Sequence, residues 1–248
     1  MQPTRSDPLK RADLALVERG FFESRAKAQE AIAAGLVRAD GTILRKPSAP
    51  IGADTEIEAE APYPWVSRGG LKLAAALDAF GFDPAGLACH DVGASTGGFT
   101  HVLLSRGAAF VTAVDVGHGQ LHPSLAHEPR VRSLERTDAR SLTRTLLGAA
   151  PSLITCDVSF ISLELVLPAV LPLAAPEARL VALIKPQFEA GRAQTKKGIV
   201  RAEAMHERTC VKIEDLLRTL GWQVVGRLPS PIEGGDGNRE FLVGATKA

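Results

Sequence analysis

Lys72, Asp157, Lys185 and Glu240 are the residues of this chain whose types and positions could do chemistry. Three of them stand at the ends of apolar, strand-like segments, where a charged side chain is costly unless it has partners or a task. Two lysines and two carboxylates suit the activation of a weakly acidic hydroxyl. A lysine takes such a proton only when its own pKa is driven down, which nearby cations achieve. The two acids then hold the lysines in place, and the alternating charges limit one another's desolvation cost. For any single lysine a surface ion pair is the plainer reading; four charged groups at matching strand ends argue against it.

Between the first and second of these residues lies Asp91-Val92-Gly93-Ala94-Ser95-Thr96-Gly97-Gly98-Phe99, a glycine loop closing a predicted strand. Gly93, Gly97 and Gly98 let the backbone approach a ligand and open the next helix. The loop is not the dinucleotide fingerprint, because no glycine follows Gly93 at the required spacing. An acid at Asp91 sits poorly beside a pyrophosphate and suits the cationic amino-acid end of S-adenosylmethionine. Asp115, with Val116 beside it, ends the next strand, where the paired hydroxyls of a ribose would lie. Asp138 follows the third strand and either meets the adenine or caps the next helix. Ala94, Ser95, Thr96, Phe99 and Asp157 complete the expected cofactor contacts. With a sulfonium methyl as donor, a ribose 2′-hydroxyl attacks in line and no metal is required, since the leaving thioether is neutral. His118 and His122 have an i, i+4 spacing without a third ligand, and no metal site is expected there.

These groups need a scaffold that brings them together. From residue 67 onward, predicted strands at 87–92, 110–116, 131–135, 153–157, 179–184, 222–228 and 240–245 alternate with helices such as 70–80, 100–106, 162–173 and 202–220. This pattern specifies an α/β fold with a mostly parallel, doubly wound sheet, whose ligands bind outside the carboxyl ends of the strands. An antiparallel last strand would put Glu240, at its start, on that same edge. Residues 1–61 read as a small α+β unit. Leu14, Val17 and Phe21 follow helical spacing up to Gly20, Ser24 caps a second helix running to Gly35, and Asp40-Gly41 turns a hairpin. Residues 62–66 form a linker, and 67–248 the second domain.

The 248 residues are 45% hydrophobic and 23% charged with net charge +1, as in a globular protein. The most apolar stretch, 165–175, is short and carries Pro168 and Pro172, so it cannot span a bilayer. No secretory signal is visible. Cys89, Cys156 and Cys210 lack CxxC spacing and read as core thiols of a cytoplasmic protein. Residues 1–46 hold nine Lys/Arg against six Asp/Glu, and 185–201 hold Lys185, Arg192, Lys196, Lys197 and Arg201 against Glu189 alone. Two basic regions on a nearly neutral chain suit phosphates. Trp65, Phe99 and Phe188 are expected to pack rather than to stack on bases.

The motifs Val66-Ser67-Arg68-Gly69-Gly70-Leu71-Lys72-Leu73, the glycine loop, Ala113-Val114-Asp115-Val116-Gly117, Asp157-Val158-Ser159-Phe160-Ile161-Ser162, Lys185-Pro186-Gln187-Phe188-Glu189 and Gly237-Asn238-Arg239-Glu240-Phe241 resemble the TlyA family in order along nearly the whole chain. The resemblance implies a Rossmann-like methyltransferase, similar to the heat-shock RNA methyltransferases, that uses S-adenosylmethionine on a ribose 2′-hydroxyl of ribosomal RNA, at cytidine. The family's Lys-Asp-Lys-Glu set falls on Lys72, Asp157, Lys185 and Glu240. The N-terminal stretch from Arg11 to Val37 resembles the S-four RNA-binding domain, which implies Arg11, Arg25, Lys27 and Arg38 on RNA phosphates. Arg68, Arg192, Lys196 and Lys197 extend that expected RNA contact. The implied partner is ribosomal RNA within ribosomal subunits; no membrane is implied, and a monomer is favoured. Part of the family carries Arg where this chain has Tyr63, at the head of the tetrad Tyr63-Pro64-Trp65-Val66. Many members are labelled haemolysins, but a membrane-lytic protein needs an amphipathic or spanning segment and an export route, and neither is visible. A non-catalytic RNA-binding protein would have no use for the intact Lys-Asp-Lys-Glu set.

Overall fold

In the computed structural model, which describes residues 9–189, 202–234 and 237–247, the chain forms two units, Met1–Pro64 and Trp65–Ala248. Arg192, Lys196 and Lys197 lie outside the described residues.

The first unit runs β1 (Lys10–Arg11), α1 (Ala12–Glu18), α2 (Arg25–Ala33), β2 (Val37–Ala39), β3 (Thr42–Ile43), β4 (Pro50–Ile51) and β5 (Ile57–Ala59). Ser24 caps α2 by accepting from the Lys27 amide, satisfying one of the orphan donors of that end. Asp40 and Gly41 both have positive φ, 48° and 74°, the backbone that a tight two-residue hairpin requires. The helix foreseen from Leu14, Val17 and Phe21 forms, but it turns a different face inward. Ala12, Ala15 and Leu16 are buried with Ala28, Ala31 and Ile32 of α2, while Leu14 and Phe21 are exposed. Alanines on both helices permit a close approach that larger side chains would prevent.

The second unit runs α3 (Gly69–Phe80), β6 (Ala88–Val92), α4 (Gly98–Ser105), β7 (Phe110–Val114), α5 (Pro123–Ala126), β8 (Val131–Leu134), α6 (Arg144–Leu147), β9 (Leu153–Cys156), α7 (Leu163–Val170), β10 (Arg179–Ile184), α8 (Pro186–Glu189), α9 (Glu203–Thr219), β11 (Trp222–Pro229) and β12 (Phe241–Lys247). The sheet order is β11-β12-β10-β9-β6-β7-β8. β6 through β10 pair in parallel, whereas β12 is antiparallel to β10 and β11. Strand order reverses between β6 and β9, and that switch point opens a crevice at their carboxyl ends. Because side chains alternate across a strand, Leu180, Ala182 and Ile184 of β10 enter a core with α7 and α9, and Val181 and Leu183 enter a second core with α3 and α4.

Two local features bear on the site. The Phe80 ring lies so close to Gly244 of β12 that a Cβ there would come within 2.5 Å of it; this contact seats α3, which carries Lys72, on the strand that follows Glu240. The helix predicted over 162–173 is shorter: α7 ends at Val170 and a 3-10 turn follows at Leu171–Leu173. Pro172 in that turn has no N–H with which to continue the α-helical ladder. Cys89, Cys156 and Cys210 are buried free thiols, and burial pushes Cys89 up to about 12 and Cys210 up to about 11, which keeps them inert.

Candidate active site

Register places the four charged residues. Ile184 pairs with Phe241 across β10 and β12, so Lys185 and Glu240, one residue beyond each, leave the sheet side by side. Ala182 pairs with Cys156 across β10 and β9, which sets Asp157 at the same edge. Lys72 Nζ donates to Glu240 Oε2 at 2.5 Å, and both side chains are buried. Lys185 Nζ lies 2.6 Å from Asp157 Oδ1, an ion pair off the line of a hydrogen bond, and donates to Ser159 Oγ at 2.9 Å. The set is thus two lysine–carboxylate pairs, the first nearly dry and the second nearer to solvent. A charge buried without its partner would cost several kcal/mol, so each lysine and its carboxylate depend on one another at this edge.

Beside Asp157 a cleft opens in two lobes. The larger, about 530 Å³, lies within the usual range of small-ligand pockets and is lined by Asp115, Val116, Gly117, Asp138, Ser159 and Phe160 among others. The smaller, about 120 Å³, is lined by Ser67, Gly69, Ala94, Thr96, Gly98 and Phe99. Gly93, Ser95 and Asp157 border both. At Gly93, φ is 84° and an added Cβ would sit 2.8 Å from the Asp157 carbonyl carbon, so only glycine lets the loop pass this close to the end of β9.

The lining fits S-adenosylmethionine. Asp115 accepts from the Ser95 and Gly117 amides, each at 2.7 Å, and a carboxylate has lone pairs left for ribose hydroxyls. No side chain caps the N-terminus of α4, which with the Ser67 and Thr96 hydroxyls matches a carboxylate, while Asp157 matches an ammonium. Asp138 caps the turn Ala139–Ser141 and holds the Arg140 guanidinium; that cation holds its carboxyl down at about 2. It lines the larger lobe as well as capping.

Two of the residues expected at the cofactor do not reach the cleft. Asp91 is wholly buried and accepts from Thr100 Oγ1 at 2.7 Å and Thr155 Oγ1 at 2.9 Å. It ties the first turn of α4 to β9 from below the loop, and burial raises its carboxyl to about 6 against the pull of those hydroxyls. Gly97 sits behind the loop with φ of 94°, against Leu125 and Leu121. Phe99 is buried as expected, and Trp65 packs on Gly70 with its indole N–H directed to Ser105 Oγ at 3.4 Å. His118 faces Glu135 and His122 caps α5, so the two do not share a helix face; no group of three metal-binding side chains occurs among the described residues.

Sequence reasoning passed over Ser67, Ser159, Phe160 and Glu189. Phe160 is 91% exposed and has φ of 64°, a strained backbone for a bulky residue. Its ring stands 5.1 Å from that of Phe188. Glu189, buried at the end of α8, accepts from Ser162 Oγ at 2.5 Å and from the Leu163 amide at 2.8 Å. These two contacts cross-brace the segment after Asp157 to the segment after Lys185.

In the first unit Arg11 and Arg25 converge on Asp13. Arg38 is exposed and donates to the Gly41 carbonyl at 3.0 Å, and Arg68 is exposed where α3 begins. Lys27 is set differently: its ammonium lies 5.5 Å from the centre of the Tyr63 ring, with only 15% of the side chain exposed.

Residues 65–247 match the FtsJ-like methyltransferase family, and residues 10–57 match the S4 domain. The class of the second unit is therefore that of a methyltransferase. Over 236 residues, 94% of this chain and 88% of the relative, the sequence is 46% identical to the 16S/23S rRNA (cytidine-2′-O)-methyltransferase TlyA of Mycobacterium tuberculosis. It is 39% identical to Hemolysin A of Brachyspira hyodysenteriae, over 90% of this chain and 94% of that one. A solved structure from Streptococcus thermophilus, provisionally named a hemolysin, superposes with a TM-score of 0.76 at 42% identity, covering 97% of this chain and 89% of that one. The chain belongs to the TlyA family of FtsJ-like methyltransferases. Among the described residues no helix is long and apolar enough to cross a membrane.

Proposed function

We propose that this chain transfers a methyl group from S-adenosylmethionine to a ribose 2′-hydroxyl of cytidine in ribosomal RNA, in the cytoplasm. The observation that carries this reading is the meeting of the Lys72–Glu240 and Lys185–Asp157 pairs at the edge where the cleft opens. The substrate is read from the named activity of the M. tuberculosis relative.

S-adenosylmethionine bound in the cleft supplies an electrophilic methyl group on a sulfonium. Asp157 and the α4 N-terminus hold its amino-acid end, and Asp115 its ribose. Lys185, steadied by Asp157 and Ser159, faces the incoming hydroxyl at the cleft. Lys72, held by Glu240, adds a second positive charge nearby. One of the two lysines, as a neutral amine, takes up the hydroxyl proton as the oxygen attacks, while the other, as an ammonium, stabilises the charge developing on that oxygen. Phe160 offers a flat apolar face on which an unstacked base can rest. Arg11, Arg25, Arg38 and Arg68 engage RNA phosphates, which position the substrate without reading its sequence; Arg192, Lys196 and Lys197 join them in this reading.

The test is methyl incorporation from labelled S-adenosylmethionine into unmodified 30S and 50S subunits, assayed separately, with the Lys185→Ala variant as control. Label in the RNA of at least one subunit, lost in the variant while cofactor binding persists, is expected. No label in either, with cofactor bound, overturns the ribosomal substrate.

A further inference from the structure

The first unit holds one carboxylate that water does not reach. Asp13, in α1, is 0% exposed. Its Oδ1 accepts from Arg11 Nε at 3.0 Å, and its Oδ2 accepts from Arg11 Nη2 at 3.1 Å, Arg25 Nη2 at 3.0 Å and Gln29 Nε2 at 2.7 Å. The arginines themselves are not hidden, since their side chains keep 48% and 54% of their exposure. One buried acid therefore fixes two cations that stand at the surface.

Such an arrangement is a poor device for stability alone. Removing a carboxylate from water is expensive, and the pairing with half-exposed partners is screened. It is a good device for presentation. A guanidinium carries five N–H donors in a rigid fork; Arg11 gives two to Asp13 and Arg25 gives one. Two guanidiniums sharing one acid leave an excess positive charge and a row of unspent donors. The matching ligand is a compact, multiply accepting anion, which in a folded RNA is a backbone phosphate. Arg11, as the leading cause, holds the Asp13 carboxyl well below the usual carboxylate range, so the acid stays charged at any working pH.

We propose that Asp13 is a positioning residue for RNA binding: it locks Arg11 and Arg25 into one geometry in which they clamp a single backbone phosphate. Rotamers fixed before binding lose less freedom on binding, so the gain appears as affinity. The inference rests on the reading that the first unit binds RNA, and its test separates the two.

Full-length protein is titrated with unmodified small- and large-subunit ribosomal RNA at several salt concentrations, with cofactor binding as the control for an intact second unit. Arg11→Ala/Arg25→Ala weakens binding about tenfold and lowers the log–log salt slope by about 1. Asp13→Asn alone also weakens binding several-fold, and adding it to the double arginine variant changes nothing further, because it acts through those arginines. If Asp13→Asn leaves affinity intact while the arginine variant loses it, the positioning role is wrong. A loss of equal size in both backgrounds also overturns it, as the mark of a merely structural residue. If the arginine variant binds RNA normally, the RNA reading of this surface falls as well. Should Asp13→Asn unfold the unit, Arg11→Lys/Arg25→Lys serves instead, since it keeps both charges but loses the fork. Weakened binding supports the clamp, and full affinity overturns it.

Discussion

Lys72 and Glu240 stand 168 positions apart in the chain, yet their side chains meet at 2.5 Å in a nearly dry contact. Neither charge is tolerable there alone. Lys72→Met strands the Glu240 carboxylate and is expected to cost about 3–5 kcal/mol, as does Glu240→Leu in reverse. The double variant loses far less than the sum of the two. Denaturant titration of the four proteins measures the coupling, and additive losses would mean that the pair does not exist in solution. All three variants are inactive on this account, including the double one that regains stability.

Gly93 borders the cleft where its loop meets the Asp157 backbone. With φ of 84° and the Asp157 backbone where a Cβ would go, Gly93→Ala must push β9's end away or distort the loop. Cofactor affinity falls by roughly tenfold or more, and stability by about 1–3 kcal/mol. Calorimetric titration with S-adenosylmethionine reads the first, and wild-type affinity in the variant would contradict the assignment of the cleft.

Glu189 braces the segment after Asp157 to the segment after Lys185. Glu189→Ala removes both acceptors from Ser162 and Leu163, costing about 1–3 kcal/mol. It lowers turnover about tenfold or more by displacing Lys185 from Asp157, with cofactor affinity unchanged. Glu189→Gln keeps an acceptor for the Leu163 amide and recovers most of both. Saturation kinetics on the two variants checks this; equal turnover in Ala and Gln would remove the bracing role.

Asp91 sets a pH dependence of stability. Burial raises its carboxyl from 3.8 to about 6, so in the window between those values the folded state binds more protons than the unfolded chain. Its contribution is therefore full below pH 3.8 and is lost as pH rises through about 6. His90 runs the other way: burial lowers it from 6.5 to about 4, and its contribution is lost as pH falls through that range. Asp91→Asn removes the opposing slope, so stability should rise more steeply with pH between about 4 and 6 than in wild type, by on the order of 2 kcal/mol at most. Unchanged slopes in denaturation curves across that window would contradict the placement of Asp91.

The sheet and the edge that holds the four charged residues were legible because strand–helix alternation fixes where strand ends lie. The antiparallel β12 then brings Glu240 beside Lys185. What was not legible is which lysine meets which acid, since that depends on how α3 seats on Gly244. Asp91 looked like a cofactor ligand because it stands at a strand end; its true partners, Thr100 and Thr155, are buried hydroxyls with no periodic signature. Phe160 is exposed through a left-handed backbone that no composition or spacing encodes. On α1 the large residues drew attention to the wrong face, because a close helix contact is built from alanines.

The central claim is that the two lysine–carboxylate pairs direct the methyl group to a ribose oxygen. Ribosomal RNA methylated with labelled cofactor should be digested exhaustively in alkali, which needs a free 2′-hydroxyl to cleave each phosphodiester. Label in an alkali-resistant dinucleotide that begins with cytidine, absent when Lys185→Ala replaces the wild type, is the predicted result. Label in mononucleotides would put the methyl on a base, and label retained by the variant would remove Lys185 from the chemistry; either contradicts the account.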